Sequence, residues 1–145
     1  MTELHDAIRM EIEDLHRFFV DWFTGVAAGE TLNDRFGAAM APDVVFISPD
    51  GQRLTRDDLM TGIGAAHGGN PNIRIAVRDV RVLREIGDSV LVTYEEWQIG
   101  AARPGHANNG RLSTALITRD APHQWRHIHE TWLPEDVQAA GPYDF

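Results

Sequence analysis

The spacing of apolar residues changes once along this chain, and that change constrains its fold more than any other feature. Before Pro71 they recur at three- and four-residue steps, the period of a helix face, and after it they alternate as in a strand. Only a small hairpin, residues 44–47 and 52–54 around the Ser48–Gly51 turn, interrupts the helical half. Helices grouped before an antiparallel sheet predict an α+β fold.

The helical half is predicted to hold three helices. The first covers residues 3–28, and its apolar stripe becomes more aromatic toward the C-terminal end. The second covers about residues 31–40 and is stopped by Pro42. The third begins at Thr55, whose hydroxyl caps it, and ends near Gly68.

The second half is predicted to form four long strands that meander. In the first of them the apolar parity flips at Arg78-Asp79, which indicates a β-bulge that bends the sheet. Both faces of the sheet carry apolar side chains, but the helices can cover only one. We therefore expect a homodimer through the other face. The predicted strands are residues 73–86, 89–99, 111–119 and 123–133.

The closing strand carries the candidate catalytic residues. Strict alternation places Trp125, His127 and His129 on one face. Because an imidazole suits proton transfer at neutral pH, His127 and His129 are predicted to move protons and Glu95 to orient one of them. The alternative is that the histidines are hydrogen-bonded core or interface residues. Glu95 and Glu96 are also interpreted as solvated charges or strand-edge pairs.

The same His-x-His spacing is compatible with two ligands of one metal ion. A third ligand is missing, because the next carboxylate, Glu135, lies beyond Pro134. We therefore predict no metal and no cofactor. The aromatic residues predicted to shape a ligand pocket are Phe19, Trp22, Phe23, Phe46, Trp97 and Trp125.

Charge and composition limit the classes of partner that this chain is expected to bind. The 145 residues carry a formal charge of −9, with 22 acidic residues against 13 Lys+Arg. A strongly acidic chain is a poor partner for nucleic acid and for anionic membranes. There is no cysteine and no apolar run of roughly 20 residues. These features predict one cytoplasmic domain over residues 1–145, with 134–145 as a tail.

Four segments together resemble the nuclear-transport-factor-2-like superfamily, and within it the SnoaL-like and DUF4440 group. They are the aromatic first helix, the turn at residues 46–51, the helix start at residues 55–59 and the closing strand at residues 125–129. The resemblance covers about residues 3–133. It implies a cone, in which a strongly curved sheet wraps helices around a pocket and the convex side is often used for dimerisation.

The resemblance leaves function open, because relatives include polyketide cyclases, steroid isomerases, dehydratases and binding or assembly modules. The leading expectation is a domain that binds a small, largely apolar organic molecule. If it is an enzyme, we expect cofactor-free acid–base isomerisation, cyclisation or dehydration. The alternative is a non-catalytic ligand-binding or dimerisation module.

Overall fold

The computed structural model describes residues 2–145, and it confirms the predicted α+β fold. Six strands form one curved sheet in the order β2-β1-β6-β5-β4-β3, with every neighbouring pair antiparallel except β1 and β6. The elements are α1 (Glu3–Thr24), a short π-helix (Leu32–Gly37), β1 (Met40–Ile47), β2 (Arg53–Leu54), α2 (Arg56–Ala65), β3 (Arg74–Ile86), β4 (Ser89–Ile99), β5 (Asn109–Thr118), β6 (Trp125–Trp132) and α3 (Glu135–Ala140).

Helix α1 ends earlier than the sequence pattern predicted. Gly25 adopts a left-handed conformation with φ of 87°, which terminates the helix. The backbone N–H of Gly68 then donates to the carbonyl of Trp22 at 3.0 Å, and that of Asn70 to the carbonyl of Phe23 at 2.9 Å. The loop after α2 therefore donates to carbonyl groups of the last turn of α1.

Helical backbone covers residues 31–39, so the second helix predicted over about residues 31–40 is present. Its central part, Leu32–Gly37, is a π-helix, and the chain joins the sheet at Met40, which lies opposite Trp125 of β6. Phe36 and Met40 are both buried, so their four-residue spacing did report burial. The helix ends where Met40 pairs with β6, two residues before Pro42.

The bulge predicted in β3 is confirmed. The pairing register with β4 shifts between Arg78 and Arg81, and Asp79 has a φ of 55°. Such a bulge lets apolar residues on either side of it reach the same face of the sheet.

Another bulge, which the sequence analysis did not predict, lies in β6. Ile117 pairs with Trp125 and Leu116 pairs with His127, so Arg126 is an extra residue. Its guanidinium donates to Asp88 at 2.7 Å. The bulge reverses the faces of every residue that follows Trp125, and this reversal decides which side chains reach the interior.

Helix α1 lies on the concave side of the sheet, where its apolar stripe forms the core. Ile8 and Ile12 are fully buried there, beside Val90 and Val92 of β4. None of the described helices is both long and apolar enough to cross a membrane.

The C-terminal segment covers part of the other, convex face. Trp97 is 3% exposed and contacts the ring of Tyr143 edge-on, with 5.6 Å between ring centroids. The guanidinium of Arg78 lies 5.8 Å from the Trp97 ring centroid. Gly110 pairs with Trp97, and a Cβ added at Gly110 would lie 2.8 Å from the indole carbons.

We predict that Gly110→Ala lowers the free energy of unfolding by roughly 1–3 kcal/mol, because the indole has no free space to move into. Gly62→Ala is the matched control, since its Cβ would meet nothing within 4 Å. In the interior of α2 that change should instead raise stability by roughly 0.5–1 kcal/mol. Urea unfolding of both variants checks the prediction, and equal effects would contradict it.

Candidate functional site

A cavity of about 460 Å³ lies between the helices and the concave face of the sheet. Its volume is in the range of small-molecule sites, roughly 300–1,000 Å³. The wall is largely apolar and aromatic, and its apolar lining residues include Phe19, Phe23, Phe36, Met40, Phe46, Leu54, Leu59, Ile63, Ile73, Ile75, Trp125 and Ile128.

One end of the cavity, which we call the floor, is polar. It is built from cross-strand rows on the concave face. Tyr94, Ser113 and Glu130 lie opposite one another on β4, β5 and β6, and Glu96 lies opposite Arg111 in the next row. All five are buried. Alternation along the strands therefore brings charged side chains to a place that water hardly reaches.

A buried ion pair joins α1 to the floor. His16 Nδ1 donates to the carbonyl of Ile12 at 2.7 Å, and Nε2 lies 3.1 Å from Glu96 Oε1. Burial lowers the pKa of His16, but the charge and hydrogen bond of Glu96 outweigh it and the net shift is upward. Burial raises the pKa of Glu96, but the charges of His16 and Arg111 reverse the effect. The pair is therefore an imidazolium and a carboxylate.

The hydrogen bonds continue across the sheet from Gln98, which donates to the second oxygen of Glu96 at 2.6 Å. Asn109 donates to Gln98 at 3.3 Å and accepts from Arg111 at 3.0 Å. The same guanidinium donates to Glu130 Oε1 at 3.1 Å. The floor is thus one connected network, in which each buried carboxylate has a cationic partner.

Glu130 is the proton-active group of the network. Burial and the nearby charge of Glu96 raise its pKa to about 7, although Arg111 pulls it in the opposite direction. Ser113 Oγ also donates to Glu130 Oε2, at 3.3 Å. Burial, with the charges of Glu130 and Glu96, raises the pKa of Tyr94 well above 10, so its hydroxyl remains a neutral donor. A carboxyl that titrates near neutral pH can both take and give a proton there.

The mouth of the cavity is bordered by the loop between β4 and β5, whose residues 101–103 line it. Arg103 pairs with Asp50 at 2.9 Å, and the indole N–H of Trp132 donates to the other oxygen of Asp50 at 3.1 Å. The hydrogen bond from Trp132, followed by the charge of Arg103, lowers the pKa of Asp50. The ring of His106 is stacked on Trp132, with 4.1 Å between centroids.

Four of the six aromatic residues predicted to shape a pocket line this cavity: Phe19, Phe23, Phe46 and Trp125. The other two do not. Trp22 is buried, and its indole N–H donates to the carbonyl of Ile63 at 2.6 Å. Trp97 lies on the convex face beneath the C-terminal segment.

His127, His129 and Glu95 are not among the residues that line the cavity. The expected shared face of Trp125 with both histidines is wrong, because the extra residue at Arg126 turns His127 and His129 to the convex side. Glu95 accepts there from the indole of Trp97 at 3.0 Å. The acid–base role predicted for these three residues therefore has no cavity contact to support it.

The sequence reasoning missed the residues that form the floor. Glu96 was interpreted as a solvated or edge charge, yet it is 6% exposed. The signal was present in the alternation of Tyr94, Glu96 and Gln98 on β4, matched by Arg111 and Ser113 on β5. A strand face with polar side chains is normally assigned to solvent, so the burial of this face was not predicted. Within residues 2–145 no three His, Cys, Asp or Glu side chains form a group that could hold a metal ion.

Comparison with known proteins shows the family to which this architecture belongs. The family profile described as a SnoaL-like domain matches residues 10–131. The chain belongs to the SnoaL-like family. This SnoaL-like domain is 29% identical to an NTF2-like protein of unknown function from Pseudomonas aeruginosa, with a TM-score of 0.78 over 88% of this chain and 99% of that one. The superfamily and the cone-shaped fold expected from the sequence are thereby confirmed.

Two further relatives are more distant. Sucrose-phosphatase 2 of Nicotiana tabacum is 28% identical over 127 residues, which are 85% of this chain but only 30% of that protein. The SnoaL-like domain thus spans less than a third of that relative. The CaMKII hub of S. rosetta is 17% identical with a TM-score of 0.61, covering 86% of this chain and 95% of that one. That likeness shows the fold alone.

Glu130 should impose a pH dependence on stability. Its pKa is about 7 in the folded chain against 4.5 ordinarily, so its contribution to stability is full below 4.5 and is lost as pH rises through 7. Glu130→Gln cannot titrate. Between about pH 4.5 and about pH 8, wild type should therefore lose up to about 3 kcal/mol of unfolding free energy relative to the variant. Urea unfolding across this range measures the difference, and curves that stay parallel would contradict the assignment.

Proposed function

We propose that this SnoaL-like domain binds a small, largely apolar organic molecule, with the polar group of the ligand against the floor. The apolar wall and the polar floor support this orientation, because such a site fixes a ligand through a few placed polar groups. Phe19, Phe46 and Trp125 provide aromatic rings along the wall. Glu130 and Tyr94 line the polar end.

We propose further that the domain is an acid–base enzyme that needs no cofactor. One observation carries this proposal: a buried carboxyl whose pKa is about 7 lines an apolar cavity. General acid–base catalysis is most effective when the pKa of the group is near the working pH. Isomerisation, cyclisation or dehydration beside a carbonyl group is the chemistry that such a site suits.

In this mechanism the carboxylate of Glu130 takes a proton from the carbon beside the carbonyl group of the ligand. The electron pair left on that carbon moves toward the carbonyl oxygen, which gains negative charge. Tyr94 donates a hydrogen bond to that oxygen and stabilises it. Glu130 then returns the proton at a different atom, so the enzyme ends the cycle unchanged. His16 and Glu96 remain a fixed ion pair throughout.

A partner for the convex face is also proposed, namely a second copy of this chain. Two rows of small, apolar or uncharged side chains cross β1, β6, β5 and β4 there. At their edges the rows reach Arg84 and Arg81 of β3 and Arg53 of β2. Two copies of a chain with a formal charge of −9 could therefore meet on this face with little repulsion. The rows are Val45, His127, Leu116 and Leu91, and Ile47, His129, Thr114 and Thr93.

Ligand binding is tested with acetophenone, a small aromatic ketone. Wild type should bind it, and Gly62→Phe should weaken binding by about tenfold or more, because the new ring occupies the cavity that Gly62 lines. Thr61→Phe, the exposed neighbour on α2 outside the cavity, is the control. Protein-detected NMR measures both affinities. Wild type should also exchange the methyl protons of the ketone for deuterium, and Glu130→Gln should bind without exchange. Binding without exchange in wild type would favour the non-catalytic module.

The dimer is tested by sedimentation. Wild type should sediment at twice its mass of 16.2 kDa, and Leu116→Arg should sediment as a monomer because it places a charge in the centre of the interface. Met10→Arg is the control, since Met10 is 55% exposed on α1, away from the convex face. A wild-type monomer at micromolar concentration would overturn this proposal.

A further inference from the structure

The loop over residues 100–108 is fastened at its tip rather than free. The N–H of His106 donates to the carbonyl of Arg103 at 2.9 Å, which closes a turn. Arg103 then reaches across to Asp50 in the turn between β1 and β2. Because residues 101–103 line the cavity, this ion pair holds the loop against the mouth.

The indole of Trp132 contacts both the loop and the floor. His106 is stacked on it, with an angle of 5° between the rings, and the guanidinium of Arg103 lies 5.6 Å from its centroid. The guanidinium of Arg111, which belongs to the floor, lies 5.0 Å from the same centroid. A shift of the loop would therefore change the packing around Arg111.

Asn109 provides a second connection. Its side-chain amide donates to the carbonyl of His106 in the loop at 2.8 Å, and its oxygen accepts from Arg111 at 3.0 Å. Asn109 is fully buried, so neither contact can be exchanged for water without opening the structure. The Nε of Arg111 has no hydrogen-bond partner within the described chain. The guanidinium is thus placed by Glu130, Asn109 and Trp132.

We propose that Arg103 and Asn109 are positioning residues, which hold Arg111 on Glu130 when the loop is closed and release it when the loop opens. This inference rests on the proposed role of Glu130. The groups that face Glu130 are Arg111 and Ser113 from β5, Tyr94 and Glu96 from β4 and His16 from α1. Losing the nearest cation leaves Glu130 beside the negative charge of Glu96, so the carboxyl takes up a proton. Glu130 is therefore available as a base only when the loop closes the mouth of the cavity.

The titration of Glu130 in the free protein tests this coupling. Selective ¹³C labelling of the glutamate carboxyl groups follows it by NMR, and Glu130→Gln assigns the signal. Arg103→Gln and Asn109→Ser should each raise the titration midpoint of Glu130 by about half a pH unit or more. The matched controls are Arg81→Gln, an exposed arginine paired with Asp79 at 2.9 Å, and Asn72→Ser on the surface. Neither control should change the titration midpoint of Glu130.

Loop position is measured separately. The chain has no cysteine, so Ala102→Cys provides one site for a bimane label, whose fluorescence a nearby indole such as Trp132 quenches. Adding Arg103→Gln should brighten the label, and adding Arg81→Gln should not. A label that stays quenched would show that Arg103 does not hold the loop closed. A brightened label with an unchanged titration midpoint of Glu130 would show that the position of the loop does not affect Glu130. Neither measurement uses a ligand, so failure of acetophenone to bind or exchange would count against the proposed function alone.

Discussion

Four charged side chains meet at the concave face of one sheet with little access to water, and each must find its partner there. An unpaired charge in such a place costs several kcal/mol, so the carboxylates and their cations have to fold together. His16 comes from α1, Glu96 from β4, Arg111 from β5 and Glu130 from β6. Their pairing therefore ties the first helix to three strands, and it requires those strands to keep one register.

The same pairing gives the cavity its chemistry. Two cations face two carboxylates, so the floor can be neutral, but the carboxylates also face each other. That repulsion and burial keep the proton affinity of Glu130 near neutral pH. The floor side chains are buried, which strengthens the electrostatic interactions among them. The SnoaL-like scaffold supplies the hollow, and these few residues decide what the hollow can do.

Much of the fold could be predicted from local pattern. The bulge at Arg78-Asp79 was visible as a change of parity, because apolar residues on both sides of it report the buried face. The four-residue spacing of Phe36 and Met40 likewise reported a buried helical face, although the chain already joins β6 at Met40. The candidate site was the least predictable part. The apolar residues of β6 change parity between Trp125 and Ile128, but they were interpreted as lying on opposite faces of a regular strand. The outward turn of the histidines was therefore not predicted.

The sequence by itself determined the order of elements, the curvature of the sheet and an aromatic wall, because these follow from the spacing of apolar residues and from turn chemistry. Only the tertiary structure decided which polar residues are buried. A strand shows two faces but does not say which one meets the helices, and a single extra residue exchanges them. The charged face of β4 and β5 became the interior because its partners, on α1 and β6, lie far away in the chain and meet it only after folding.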